Sequence, residues 1–412
     1  MLNHQGVIFN KISDGDLNKH PVILSTSKIP LLMQGRLITI EDSNINEIYD
    51  ALTGKNVLTD EEMTRAPIST LGLNILNKIA QKYQEQKLPF IRKWYWPNFK
   101  KICYIVTHDI DVIDIYPGTN NKIELIKYLL HRIILKNYGD NIDEILGLED
   151  EKNIRSTFFF LSNYKRKFQI YMELRKNNIR LIKKIVARNR EISLHGSSEA
   201  ATDEPRMRKE KEELERITGE KIFGYRQHLL NYKFKLPNSI NQLQKLAFLH
   251  DLSISDNDRS GFMKGICHPY HPLTSEGKTE LVEIPVPYED WTSLSKKLTY
   301  ENQIAVIDAI FETTRRLNGC IVFSIHNNYV NELRYKEFYD AFAYILNSCD
   351  DSCWMTTSMC CAEWWRRREN AKVELYLEGN EVMFSSDMEL PIEITSEGKK
   401  TYRMLRDEKF IL

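Results

Sequence analysis

The sequence predicts an α/β chain in which a parallel sheet, open or closed into a barrel, carries an N-terminal α/β extension and a small C-terminal β cap. Three observations point there. Between residues 99 and 366, short apolar, β-branched or aromatic runs alternate with amphipathic helical patterns, the rhythm of a parallel sheet. The texture differs before residue 98 and again after residue 370. The 412 residues are 42% hydrophobic and 28% charged, enough to bury a real core. At roughly 150 residues per domain that length gives two or three domains, although one α/β barrel takes about 250.

Residues 1–98 mix apolar runs at 22–24 and 37–40 with a helix-like stretch over 71–86. They close on Lys93-Trp94-Tyr95-Trp96-Pro97, where the proline ends any helix and Lys100-Lys101 leads into a strand. Strands are expected at 102–107, 156–161, 191–195, 222–226, 247–252, 281–286, 320–326 and 353–359, each followed by polar residues. The clearest helix between them runs from Glu204 to Thr218 and is stopped by Gly219. Past 370, alternating runs at 373–377, 382–384 and 392–395, with Gly379-Asn380 between the first two, read as a hairpin or small sheet. The domain limits expected are therefore 1–98, 99–369 and 370–412.

Lys plus Arg and Asp plus Glu each number 57, so the chain has no global pull toward nucleic acid or anionic membrane. No run reaches the roughly 20 apolar residues of a membrane span, and the first residues do not have the form of a secretory signal. The seven cysteines are scattered, lack paired knuckles and are expected as reduced thiols. Together these features predict a cytoplasmic protein.

In parallel α/β domains catalytic groups collect at the C-terminal ends of strands. Here those ends carry His108-Asp109-Ile110-Asp111, His195-Gly196-Ser197-Ser198-Glu199, Arg226-Gln227-His228 and His326-Asn327-Asn328. Four of the ten histidines that the chain contains (His108, His195, His228 and His326) thus fall at strand ends of one domain. Asp109 and Asp111 are two apart and share one side of an extended strand. Two such carboxylates tolerate each other when a cation or a proton lies between them. With imidazoles on neighbouring strands, they make a two-His-one-carboxylate metal pattern with open positions.

The ordered set Thr107-His108-Asp109-Ile110-Asp111, Ser156-Thr157-Phe158-Phe159-Phe160, Glu191 to Ser197, Gly224-Tyr225-Arg226-Gln227-His228 and Ile325-His326 resembles the polysaccharide deacetylases, carbohydrate esterase family four with its NodB-homology domain. The resemblance runs from about Lys101 to Trp365. It implies a distorted (β/α) barrel of seven or eight strands and metal-dependent removal of an N-acetyl-type group from a sugar. It further implies Asp109 as general base, Asp111 and His195 as metal ligands, Arg226 as the group orienting the base, and His326 as general acid. Glu283, or Asp290 before Trp291, lies where the family keeps an acid supporting that histidine.

This chain departs from the pattern at two places. Glu199 stands where the family has its second ligand histidine, and His228 where it has proline. The reading adopted is that His228 supplies the third ligand, with Glu199 supporting it or replacing it, and that the Leu229 amide serves as the oxyanion donor. The implied cofactor is one divalent transition-metal ion, Zn²⁺ first, with Co²⁺, Ni²⁺ or Mn²⁺ as alternatives. Such an ion lowers the pKa of a bound water from about 15.7 to about 7, and Asp109 then takes the proton as water attacks. The implied partner is an acylated sugar, nucleotide-sugar, lipid-linked sugar or glycan.

Two other classes account for part of the pattern. A glycosyltransferase would use Asp109 and Asp111 for a cation and a diphosphate but leaves three histidines unexplained. A non-catalytic carbohydrate-binding relative would hold no ion. Elsewhere, His108 reads as a cap or packing residue, and His250 with Asp251 as structural or cleft-lining. The loop 261–272, with Tyr270, reads as either a sugar-stacking wall or a packed loop. Lys209 to Lys211 and Arg366 to Arg368 read as solvated faces, and Trp364 and Trp365 as packing the last helix onto the barrel.

Overall fold

A computed structural model describes residues 23–25, 37–39, 42–111, 126, 130, 141–161, 165–166, 169–170, 176–229, 238–378 and 381–405. Nine parallel strands form the central sheet: β1 (Ile102–Ile110), β2 (Thr157–Leu161), β3 (Glu191–Gly196), β4 (Gly224–Gln227), β5 (His250–Asp251), β6 (Val282–Glu283), β7 (Tyr288–Glu289), β8 (Cys320–His326) and β9 (Cys353–Met355). Their order is β6-β5-β4-β3-β2-β1-β8-β7, and β9 pairs with the first residues of β1.

Laid flat, eight strands about 4.8 Å apart would put the edges roughly 34 Å from each other. Yet edge strands β6 and β7 are joined by only residues 284–287, a span of about 18 Å at full extension. The sheet must therefore curl, and the result is a distorted (β/α) barrel.

Strand alternation sorts each strand between two cores. In β1, Cys103 and Ile105 join an inner apolar cluster with Phe159 and Val322. Tyr104, Val106 and Ile110 join the outer cluster, with the helices. That outer layer is covered by α1 (Ile142–Glu151), α2 (Lys176–Ala187), α3 (Glu204–Thr218), α4 (Asn238–Lys245), α5 (Tyr300–Leu317) and α6 (Lys336–Asn347). Helix α3 has the expected limits: Asp203 caps its start by accepting from the Arg206 amide, and Gly219 ends it at φ 75°. The helix expected over 71–86 begins earlier, at Pro67, whose fixed φ suits a first helical turn.

Several strands are shorter than expected. Ala247 has φ 56°, which no strand accommodates, so β5 starts only at His250. The run 353–359 is strand only to Met355; the Thr357 side chain then accepts from the Cys360 amide and caps α7 (Ser358–Asn370). Strand β7 was not anticipated. Trp365 packs on Trp96 with ring centroids 5.3 Å apart, and the Trp364 indole donates to Tyr95 O.

Neither charge run is a simple solvated face. Lys211 is buried over the Phe248 ring, and Arg368 is fully buried, donating to the Trp94 and Lys93 carbonyls. The C-terminal strands Leu390–Ser396 and Lys399–Leu405 form a three-stranded sheet with Phe90–Lys93, so the segment just before the barrel pairs with the one after it. Strands Val373–Glu378 and Glu381–Ser386 pair antiparallel. Gly379-Asn380, read as their turn, lies outside the described residues, as do most of residues 1–41. Among the described residues no helix is long and apolar enough to cross a membrane.

Candidate active site

The inward-facing set ends, at the C-terminal mouth of the barrel, in polar groups. Asp109 is buried, and its Oδ1 accepts from Arg226 Nη1 at 2.5 Å. The Arg226 guanidinium is fully buried and spends its donors on Thr107 Oγ1 (2.9 Å), Ser324 Oγ (3.0 Å) and Leu252 O (3.3 Å), with its plane 4.2 Å from the Phe159 ring centroid. Burial pushes the Asp109 carboxyl up, but Arg226 first, then His195 and His326, more than offset this and hold it below its usual value.

Asp111 lies one residue past β1 and faces His195 and His228. Its Oδ1 is 3.3 Å from His195 Nε2 and its Oδ2 is 3.5 Å from His228 Nε2. The ligand atoms of these three side chains all lie within 4.8 Å of one another. His195 Nδ1 sits 3.0 Å from Arg226 O, a carbonyl that can only accept, so Nδ1 carries a hydrogen and Nε2 is the atom turned to Asp111. With the ring neutral, Nε2 would turn a lone pair to a buried Asp111 oxygen, and a metal ion between the two would satisfy both. Without one a proton serves the contact: burial pushes His195 down, but Asp109 first, then Asp111, hold it above its usual value.

The spacing fits as well. Bonds of about 2.05 Å at a tetrahedral centre set neighbouring ligands about 3.3 Å apart. Two nitrogens and one carboxylate suit a borderline ion of the zinc class. Asp111, His195 and His228 are therefore the residues that fit the expected metal.

His326 closes the opposite side. Its Nδ1 donates to Asp290 Oδ1 at 2.6 Å and its backbone amide to Asp290 Oδ2 at 2.7 Å, leaving Nε2 3.8 Å from Asp111 Oδ2. Burial would push its pKa down; Asp290 first, then Asp111 and Asp109, hold it well above the usual histidine value. Glu289, not anticipated, is buried with its carboxyl in the same cluster as Asp109 and His326, and burial raises it to about 8. The Glu289-Asp290-Trp291 triplet was its only signal in the sequence.

The remaining expected residues fall elsewhere. Glu199 is exposed and outside the Asp111–His195–His228 cluster. Glu283 sits between inward-facing Val282 and Ile284, so alternation turns it outward, where it lies against Asp251 rather than His326. Tyr270 is 1% exposed in a packed cluster with Ala51 and Ile68, and offers no face to a sugar. Trp291 and Leu229 are both 43% exposed, and Leu229 holds a left-handed φ of 55°. His108 is buried against Glu149 at 2.8 Å, and His250 points into the far end of the barrel against Ser358 and Glu191.

A clamp that the sequence did not reveal joins the two histidine-bearing strand ends. The Gln227 amide nitrogen donates to Gly196 O (3.2 Å), Ser197 O (3.0 Å) and His228 O (3.0 Å), and Tyr225 Oη donates to its Oε1 at 2.6 Å.

No family model and no curated protein matches this sequence. Solved structures are similar to it in backbone course. A protein of Mycobacterium smegmatis described as a polysaccharide deacetylase is 22% identical, with a TM-score of 0.49 over 67% of this chain and 94% of that one. A probable polysaccharide deacetylase of Pseudomonas aeruginosa PAO1 is 15% identical, with a TM-score of 0.47 over 66% and 93%. Puue allantoinase is 16% identical, with a TM-score of 0.45 over 66% and 92%.

Proposed function

We propose that this chain is a metal-dependent hydrolase that removes an N-acyl group of the acetyl type from a sugar or glycan precursor. The observation that carries the reading is one mouth holding three parts: a buried Arg-held carboxylate, an Asp-held imidazole, and an Asp-His-His cluster between them. The ordered motifs from Thr107 to His326 support the amide of an acylated sugar as substrate class.

An amide is a poor electrophile with a basic leaving group, so the site has to remove a proton from water and deliver one to nitrogen. Asp109, kept ionised by Arg226, accepts the proton as the water oxygen bonds to the acyl carbon. His326, protonated and fixed by Asp290, donates its Nε2 hydrogen to the departing nitrogen as the carbon–nitrogen bond breaks. Asp111, His195 and His228 would hold the ion, which supplies Lewis-acid polarisation of the carbonyl and a lowered water pKa. Leu229, at the rim, offers its amide to the developing oxyanion, and Trp291 an exposed ring to the sugar.

The test combines metal content with acetate release from N-acetylated amino sugars, free and nucleotide-linked. The expected result is about one transition-metal ion per chain, lost with His228→Ala and kept with Glu199→Ala, and acetate release abolished by Asp109→Asn. Metal loss with Glu199→Ala alone would move the third ligand. No ion under any loading condition would overturn the reading in favour of a binding protein.

A further inference from the structure

At the end of the barrel away from the carboxylates, three sulfur atoms converge. Cys103 comes from the start of β1, Cys320 from the start of β8 directly across the ladder, and Cys361 from the amino-terminal part of α7, which covers that end. All three are free and fully buried. The Cys103 and Cys361 sulfurs are 3.5 Å apart, and all three sulfurs lie within 4.8 Å of one another. Phe159, Val322, Trp96 and Trp365 belong to the surrounding apolar cluster.

Three bonds of about 2.3 Å to a trigonal centre place sulfurs about 4 Å apart, inside the observed spread. Filling the volume needs only small apolar side chains, whereas convergent thiols add the one thing alanine and valine cannot: soft ligands. We propose that Cys103, Cys320 and Cys361 form a closed structural site for a thiophilic d10 cation. On binding, three S–H bonds give way to three sulfur–metal bonds and three protons pass to solvent. A divalent ion leaves one negative charge, near the amino end of α7, where the helix dipole favours it.

Because the sulfurs are sealed, the ion enters as the chain folds, and its binding energy adds to stability. Soft thiolates select a different ion from the Asp-His-His cluster at the other end. The site stands independently of the hydrolase reading.

The experiment uses the full chain carrying Cys349→Ser, Cys353→Ser and Cys360→Ser, which removes the less buried thiols. It is refolded from urea with Cd²⁺ under reductant and dialysed. Retained cadmium and ultraviolet sulfur-to-cadmium charge-transfer absorption are then measured. The expectation is charge-transfer absorption equivalent to roughly one thiolate-bound cadmium per chain and a raised urea midpoint, with that absorption, one equivalent of cadmium and the gain in midpoint lost on adding Cys361→Ser or Cys320→Val. Either substitution decides alone, so one that fails to fold leaves the other to read. An ion on Asp111, His195 and His228 has no sulfur ligand and adds none of this absorption, so failure of the functional reading would not mimic failure here. A folded, cadmium-refolded protein without charge-transfer absorption overturns the proposal. So does absorption that persists in the substituted proteins.

Discussion

Replacing Gln227 with methionine keeps the volume of the clamp but removes its donors. Three carbonyls are served by that amide, and Gly196 O also accepts from the His228 backbone amide at 2.9 Å. Ser197 O likewise keeps the Ala200 backbone amide at 3.0 Å, so the substitution removes a donor from His228 O and one hydrogen bond from the Tyr225 hydroxyl. An orphaned buried polar group costs about 1–3 kcal/mol. His228 O is only partly buried and water can replace its donor, which leaves the buried Tyr225 bond, so Gln227→Met should lower stability by about 1–3 kcal/mol.

The same bonds set the separation of His195 and His228, which sit on the two strand ends they join. Loss of such supporting contacts typically lowers metal affinity about 10–100-fold. The assay is Zn²⁺ affinity by competition with a chelator, alongside urea unfolding of the metal-free protein. Tyr225→Phe, which removes one of these bonds and no donor to the carbonyls, should move affinity far less. A folded Gln227→Met protein that binds Zn²⁺ as tightly as the parent would refute the clamp.

Other outcomes follow from the same geometry. Arg226→Met leaves Asp109 charged and buried without its partner, and should cost about 3–5 kcal/mol, read by urea midpoint. Asp290→Asn leaves His326 without its charged partner and, on the proposed mechanism, should remove most of the about 10²–10⁴-fold expected of acid catalysis while leaving metal content unchanged. Burial raises Asp251 to about 6 from an ordinary value of 3.8, with Glu283 beside it also raised. A carboxyl raised in the folded state adds stability that is fully present below about pH 4 and lost as pH rises through about 6. Urea midpoints should therefore fall across that window, and Asp251→Asn should flatten the fall. Gly224→Ala would set a Cβ 2.2 Å from Ser193 Oγ and 2.4 Å from His250 Nε2, and should cost roughly 1–3 kcal/mol by thermal unfolding.

The barrel's rhythm and the polar strand ends are legible in the residues alone. Strand hydrophobicity and helix punctuation are local signals, which is why α3 and β8 could be delimited to the residue. The period of two alone puts Asp109 and Asp111 on one side of an extended strand. Where the local signal competed with backbone conformation, as at Ala247 and Thr357, strand limits moved.

Which acid lies against His326 depends on the folded sheet, because Glu283 and Asp290 differ in facing rather than in residue chemistry. Alternation on β6 turns Glu283 outward, while the end of β7 brings Asp290 to the imidazole. The choice of His228 over Glu199 beside Asp111, the buried Glu289, the Gln227 clamp and the three sulfurs share that origin. Each joins residues from strands or helices far apart in sequence, whose meeting depends on sheet order and curl. Those are fixed by how the whole sheet closes, which no single segment encodes.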